Sequence, residues 1–329
     1  MYKNYNEIKS IHLEITSKCQ AKCPMCPRRL QGGPLMPWLD LTEITIEQFK
    51  SWFDFKFLQQ LNRVFMCGNL GDPIIAKDTI PIYKYLRDAN PDMQLQMHTN
   101  GSARDKQFWE DLAALNVVVV FGIDGLEDTH SKYRVGTDFN KIIQNATTFI
   151  KAGGVARWDM LVFDHNKHQT EQCEKLADSL GFESFQKKNS SRFKDGKYNV
   201  LNEDGKTVDI LYPTEKSKSF VDKLKQAKYD VQPVINCKAK QHNEIYVSAN
   251  GNVSPCCWLD MEWLPPVSDA RIDYMDKIEI YPNLNRNTLY EIFDSTYFKD
   301  VEDTWSSNCL ETCKKQCGKF DRLGAQFES

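Results

Sequence analysis

Three cysteines stand together near the start of the chain, in the segment SKCQAKCPMCPRR: Cys19, Cys23 and Cys26, spaced C-x3-C-x2-C. Thiolates are the usual ligands of iron–sulfur clusters, and sulfurs this close let one loop wrap several irons. Three ligands on a four-iron cluster leave one iron open. An open iron can bind and activate a small molecule, whereas a fully ligated cluster passes electrons only. Pro24 and Pro27 stiffen the loop and remove two backbone donors. The alternative is a structural zinc site with His12 or a distant residue as fourth ligand, although zinc knuckles prefer paired C-x2-C units. A second group, Cys237, Cys256, Cys257, Cys309, Cys313 and Cys317, fills the last third of the chain. Only Cys67 and Cys173 lie between, which brings the total to 11. The first residues, MYKNYNEIKS, contain no apolar export segment. In a reducing compartment, cysteines in such number point to metal ligation rather than to disulfides.

The elements that must position these sulfurs are legible as alternation. Strand-like runs occur at 11–16, 63–68, 95–101, 117–124, 157–163 and 182–188, rich in Val, Ile, Phe and Leu and ending at Gly, Asn, Asp or Ser. Between them, 46–61, 80–89, 106–115 and 170–180 space their apolar residues as helices do. The repeated β-α order implies parallel strands with right-handed crossovers, closing as an incomplete barrel or lying open as a doubly wound sheet. Residues 189–235 are polar and turn-rich and read as a linker or peripheral segment. Beyond them, 244–255 reads as a hairpin turning at Asn250–Gly251, and 289–305 as helical.

The first cysteine loop follows the first strand directly, and its spacing and position resemble the signature of the radical S-adenosylmethionine superfamily. The resemblance implies a partial (β/α)6 TIM-like barrel carrying a site-differentiated [4Fe–4S] cluster. The amino and carboxylate groups of S-adenosylmethionine would chelate the open iron. One electron would then cleave the sulfonium to a 5′-deoxyadenosyl radical that abstracts hydrogen from substrate. Other strand ends fit in order. Gly68-Asn69-Leu70-Gly71-Asp72 lies where the family has a Gly-Gly-Glu-like motif whose backbone holds the cofactor's amino group, though its form departs from the usual one. Thr99, Asn100 and Gly101 end the third strand in a common family pattern. Gly122 stands two residues before Asp124, where many relatives place a ribose-touching Ser. Arg134 lies where relatives use Arg against the cofactor's carboxylate, and an Arg fork suits that group. Each segment alone also reads as a plain turn or a helix-end cation.

Strand-end polar residues at the barrel mouth, Asp124 and His165 among them, are expected to bind substrate or move a proton. Cys67, which ends the second strand, could return a hydrogen atom to a substrate radical, or simply pack as a small hydrophobe. The element Cys237, Gly251, Cys256 followed by Cys309, Cys313 and Cys317 resembles the SPASM and twitch domains of the same superfamily, which hold auxiliary iron–sulfur clusters. Six cysteines fall short of a two-cluster SPASM domain, so one auxiliary [4Fe–4S] cluster is expected, held by Cys237, Cys256, Cys313 and Cys317, with Cys309 and Cys257 as substitutes. Structural zinc is the alternative there as well.

The expected organisation is a barrel over 1–188, a linker over 189–235 and an auxiliary-cluster domain over 236–329. A net charge of −3 and the lack of a basic, aromatic-laced strip argue against nucleic acid, and no run is long and apolar enough to span a membrane. A cytoplasmic protein is expected, reduced by a flavodoxin- or ferredoxin-type donor. Relatives with such C-terminal domains modify peptides, mature proteins or oxidise amino sugars. Modification of a peptide or protein side chain is therefore the first expectation and dehydrogenation of a small alcohol or amine the second. A non-catalytic zinc- or cluster-stabilised binding protein is the reading from another class.

Overall fold

Along each of the first six strands, alternate residues face opposite sides of one sheet. The strands are β1 (Ser10–Leu13), β2 (Arg63–Met66), β3 (Gln94–Thr99), β4 (Val117–Gly122), β5 (Ala156–Val162) and β6 (Ser184–Asn189). In this computed structural model, residues 4–193, 196–218, 234–261, 280–307 and 309–319 are described. One set of alternating side chains, Ile11, Leu13, Val64, Met66, Leu95, Met97, Val119, Phe121, Trp158 and Met160, is almost fully buried in the main core. Phe49, Leu86, Trp109 and Phe149 reach the same core from the crossover helices. The other set is polar on β1, β3 and β6, with Phe65, Val118, Val120 and Leu161 also in it. His12 stacks on Phe65 with ring centres 4.1 Å apart. Arg63 bonds Gln96 at 3.0 Å, Gln96 bonds His98 at 2.8 Å, and Lys188 meets Asp159 at 2.6 Å. A parallel sheet with a helix-covered apolar face and a polar inner face is a partial barrel, not a doubly wound sheet covered on both sides.

The crossovers hold α1 (Ile46–Trp52), α2 (Phe55–Gln59), α3 (Thr79–Ala89), α4 (Lys106–Ala114), α5 (Glu127–Tyr133), α6 (Phe139–Lys151) and α7 (Thr170–Leu180). The helix expected over 46–61 is two, because the Asp54 side chain accepts the Phe57 amide at 2.8 Å and starts a new one. Helices α5 and α6 add to those expected; α6 buries Ile142, Asn145, Ala146 and Phe149.

β1 to β6 pair in chain order, all parallel. The sheet does not stop at β1. Strand β10 (Glu244–Val247), 234 residues on, runs parallel to β1, and β11 (Val253–Ser254) pairs antiparallel to β10. The eight-stranded order is β11-β10-β1-β2-β3-β4-β5-β6, so β6 ends the sheet among the described residues. Gly251, at φ +83°, makes the expected turn between β10 and β11. The segment read as a linker or peripheral holds a separate hairpin, β7 (Tyr198–Leu201) and β8 (Thr207–Leu211); its residues 194–195 and 219–233 lie outside the described ones. Val200 and Leu211 of this hairpin are buried with Ala21, Cys23, Met25, Tyr133, Phe163 and Phe193 in a second small core. Strands β9 (Val234–Ile235) and β12 (Gly318–Lys319) pair antiparallel and close the C-terminal segment. Within it lie α8 (Lys238–Gln241), α9 (Cys257–Met261), α10 (Leu289–Asp294), α11 (Tyr297–Asp303) and α12 (Glu311–Cys317). No helix among the described residues is long and apolar enough to cross a membrane.

Candidate active site

The loop bearing Cys19, Cys23 and Cys26 is held by its own backbone and by two arginines. The Cys26 amide donates to the Cys23 carbonyl at 3.0 Å. Arg28, almost fully buried, donates to the carbonyls of Ser17 at 3.0 Å and Cys19 at 3.2 Å. Arg192 donates to the Met25 carbonyl at 2.5 Å. The three thiols lie under the second core, with the β7–β8 hairpin as its outer wall. The Leu201 amide donates to the Gln31 carbonyl at 2.9 Å, and Glu203 pairs with both Lys22 and Arg29, stitching hairpin to loop. Burial pushes all three thiols above the usual range, Cys23 to about 11 even though Arg134 opposes the rise.

The loop after β2 is packed backbone to backbone. A Cβ on Gly68 would lie 1.8 Å from the Gly71 carbonyl oxygen, and a Cβ on Gly71 would lie 1.8 Å from the Thr16 oxygen. Only glycine fits at either place. The loop's amides are answered from within. Glu14, completely buried, accepts the amides of Leu70 at 2.5 Å and Gly71 at 2.8 Å, and the hydroxyl of Tyr246. Burial raises the Glu14 carboxyl to about 7, against the pull of those donors. Asp72 then ties the loop to the end of β3. It accepts the Thr99 hydroxyl at 2.8 Å, the Asn100 amide at 2.7 Å and the Asn100 side-chain amide at 2.5 Å. Asn100 also approaches the Cys19 sulfur at 3.7 Å and accepts from Gln20 at 2.8 Å. Gly101, at φ +70°, has no room for a Cβ against Phe121.

Beyond β4, the Asp124 carboxylate is wholly buried and accepts Arg134 Nε at 2.5 Å and the Leu161 amide at 2.6 Å. Burial works against the charge of Arg134, and Asp124 more than offsets it. The guanidinium also bonds Cys23 and crosses Gly122, where an added Cβ would sit 2.6 Å from Nη2. The missing side chain of Gly122 is thus the space Arg134 occupies. Asp124 is committed to holding Arg134, and its backbone amide donates to His130 Nδ1 at 3.1 Å.

The remaining expected residues separate. Cys67 is half-buried, its thiol pushed up to about 12 by burial and then by Glu14 and Asp72. Asn69 donates its side-chain amide to the Cys257 carbonyl at 3.3 Å, so the C-terminal segment meets this loop. His165 is not brought to this group. It stacks on Phe163 at 5.4 Å, among Lys132, Asp209, Asp164 and His168. Glu14, Tyr246, Arg28, Asp159 and Lys188 were not singled out from sequence. Glu14 and Asp159 had a usable signal, a lone acid inside an otherwise strand-like run.

In the C-terminal segment, Cys237 opens α8 and Cys317 closes α12, and the β9–β12 pair brings them together. Their sulfurs share a hydrogen bond that favours ionisation of one at the expense of the other. Cys313, one turn before Cys317, has Cys256, Cys309 and Cys317 as electrostatic neighbours, and burial raises its thiol. Cys256 likewise feels Cys317. Cys257 instead has Cys67, Glu244 and Glu14 among its neighbours besides Cys256. Cys309 is buried against the Leu310 carbonyl at 3.6 Å.

Buried thiols held toward neutrality need a cation to ionise them, which suits metal ligation in both groups. Among the described residues, no three His, Cys, Asp or Glu side chains converge as they would on a single metal ion. Three cysteines on one short loop suit a four-iron cluster.

Comparison with known proteins agrees. The model of the radical SAM superfamily matches residues 13–178, and that of the SPASM iron–sulfur cluster-binding domain matches 237–318. No curated protein matches the sequence significantly. Streptococcus suis SuiB bound to S-adenosylmethionine superposes with TM-score 0.60 at 14% identity, over 88% of this chain and 67% of SuiB. The enzyme anSMEcpe with S-adenosylmethionine gives TM-score 0.58 at 16% identity, over 91% of this chain and 81% of its own. With S-adenosylmethionine and the Cp18Cys peptide it gives 0.57 at 17%, over 93% and 85%. At these identities the likeness is one of fold. The family matches imply a [4Fe–4S] cluster with S-adenosylmethionine, and auxiliary iron–sulfur binding in the C-terminal domain. With half of its length matched by that family's model and three cysteines on the loop after β1, the chain belongs to the radical SAM superfamily and carries a SPASM domain after its barrel.

Proposed function

We propose that this enzyme modifies a side chain of a peptide or protein, with Cys19, Cys23 and Cys26 holding the catalytic cluster and Cys237, Cys256, Cys313 and Cys317 one auxiliary cluster. The observation that carries the substrate reading is the open side of the barrel. Among the described residues the sheet ends at β6, whose residues Gln186–Asn189 are exposed, which leaves an extended chain lateral access to the polar inner face. The SuiB fold is also known with its precursor peptide SuiA bound, and anSMEcpe with a peptide.

The bound cofactors supply one-electron cleavage that ends in hydrogen abstraction from substrate. The chain's own residues do the rest. The second core and the β7–β8 hairpin keep water from the sulfurs of the first loop. Glu14 takes up amides of the 68–72 loop and leaves that loop's carbonyls for the cofactor's amino group. Arg134, oriented by Asp124, offers its remaining nitrogens to the cofactor's carboxylate. Cys67 stands near Glu14 and Asp72 and, in an oxidation, keeps its hydrogen atom. The auxiliary cluster would accept the substrate's second electron, making the net reaction an oxidation, and a flavodoxin- or ferredoxin-type protein would supply the first.

The test is anaerobic reconstitution. About eight irons per chain are expected, with 5′-deoxyadenosine formed under a strong reductant. Replacing Cys19, Cys23 and Cys26 by Ala should halve the iron and abolish the nucleoside; survival of both would refute the reading. Peptide substrates encoded beside the gene should increase nucleoside formation, and a small alcohol or amine that does so in their place would refute the substrate class.

A further inference from the structure

We propose that Glu14 and Tyr246 are positioning residues through which the C-terminal segment sets the cofactor loop at Gly68–Asp72. The inference deepens the reading above and rests on it for the loop's role. The amides of Asn69, Leu70 and Gly71 all turn to the Glu14 carboxylate. Successive amides converging on one point form an anion-binding nest. Here the anion is internal, supplied by the neighbouring strand. Its second oxygen accepts the hydroxyl of Tyr246, which comes from β10, 232 residues away in sequence. Glu14 and Tyr246 are both fully enclosed, at 2% and 1% exposure, so no water can take over either bond.

The loop transmits what it receives, because it has no slack. Gly68 lies against Gly71, and Gly71 against Thr16, three residues before Cys19. The Asp72 amide donates to the Lys18 carbonyl at 3.0 Å, and the Asp72 carboxylate fixes Thr99 and Asn100. Asn100 reaches the Cys19 sulfur. A continuous run of bonds therefore links a tyrosine of the auxiliary domain to the first cysteine of the barrel loop. β10 pairs with β1 residue by residue, Tyr246 opposite His12, so the hydroxyl is delivered to Glu14 by sheet register rather than by a flexible arm.

Reconstituted wild type, Y246F, E14A and E14Q test this. Y246F removes one oxygen atom and is expected to keep its full iron content. Its affinity for S-adenosylmethionine, by equilibrium dialysis, should fall about tenfold, the loss of one hydrogen bond to a charged group. The electron paramagnetic resonance change on adding S-adenosylmethionine should need correspondingly more ligand, and KM should rise while kcat at saturation holds. E14A should lose more; E14Q keeps an acceptor for the amides and a donor for the tyrosine oxygen, and should recover most of the affinity. In cluster-free protein, hydrogen exchange at amides 69–71 should quicken in Y246F and E14A but not in E14Q. Unchanged affinity and exchange in Y246F, with only its melting temperature lowered, would overturn the proposal. If E14A does not fold, Y246F still decides. If wild type makes no 5′-deoxyadenosine, the functional reading fails, while the exchange arm still tests the linkage.

Discussion

Replacing Gly71 by Ala should damage this protein far more than replacing Gly122 by Ala, although an added methyl group meets an atom too closely at both sites. At Gly122 the new Cβ falls 2.6 Å from Arg134 Nη2, the far end of a long side chain. Moving the guanidinium relieves that but strains its pair with the buried Asp124, at a cost of about 1–3 kcal/mol. At Gly71 the Cβ falls 1.8 Å from the Thr16 carbonyl oxygen, with the Thr16 carbonyl carbon at 2.6 Å. Real contacts do not go below 3.0 Å, so two stretches of main chain must part by more than 1 Å. One of them is pinned by the Leu70 and Gly71 amides on Glu14 and by the Asp72 amide on Lys18. Breaking the first two strips a buried carboxylate of its donors, at about 1–3 kcal/mol for each unmet group. The sum is about 3–5 kcal/mol for G71A. Urea unfolding of the cluster-free protein, followed by circular dichroism, measures both variants against wild type. G71A should unfold well below wild type, and G122A should stay within about 3 kcal/mol of it while losing affinity for S-adenosylmethionine as Arg134 is displaced. A G71A protein as stable as wild type would refute the claim that the loop is locked against the cysteine strand.

Three further outcomes follow from the same contacts. Burial raises the Glu14 carboxyl from 4.5 to about 7, so the folded state holds its proton more tightly, and this group's contribution to stability is present below pH 4.5 and lost as pH rises to 7. The stability difference between wild type and E14Q should therefore change by up to about 3 kcal/mol between pH 5 and 8, and a pH-independent difference would contradict the burial. Leu211 is 1% exposed under the hairpin, so L211A should cost about 2–4 kcal/mol and speed loss of the cluster's visible absorbance in air, whereas V208A, at a 62% exposed position on the same strand, should do neither. C317S should lose the auxiliary irons and C257S should keep them, by iron analysis after reconstitution; equal loss in both would move Cys257 into the ligand set.

Local signals carried the strands of the barrel because each buries one face against helices and ends at a glycine or a small polar residue. The cysteine loop was equally plain, since its ligands lie within eight residues of one another. The reading weakened where partners are distant. The 198–211 hairpin reads as linker because its strands are short and polar, and Tyr198, Val200 and Leu211 turn inward to a core built largely by other segments. β10 shows as a strand, but nothing local says that it pairs with β1 across 234 residues.

Glu14 illustrates the same limit from the other side. In IHLEIT it is a lone acid that alternation puts on the polar inner face, so the sequence marks the residue but not its partners. Its burial comes from Tyr246 and from a loop more than fifty residues downstream, and neither contact has a spacing to recognise. Asp124 and Arg134 differ because ten residues separate them and a helix joins them. Sequence therefore pointed to the region of that pair, while the direction of the Arg134 side chain was set by an absence, the missing Cβ of Gly122. Buried charge in this fold sits where main chain must be held without a neighbouring strand to hold it. At Glu14 and Asp72 the donors are mainly loop amides, and at Asp124 an arginine shares the task with the Leu161 amide. A carboxylate in these places does for a loop what a ladder does for a strand, which is why removing its donors should unlock the loop before it unfolds the barrel.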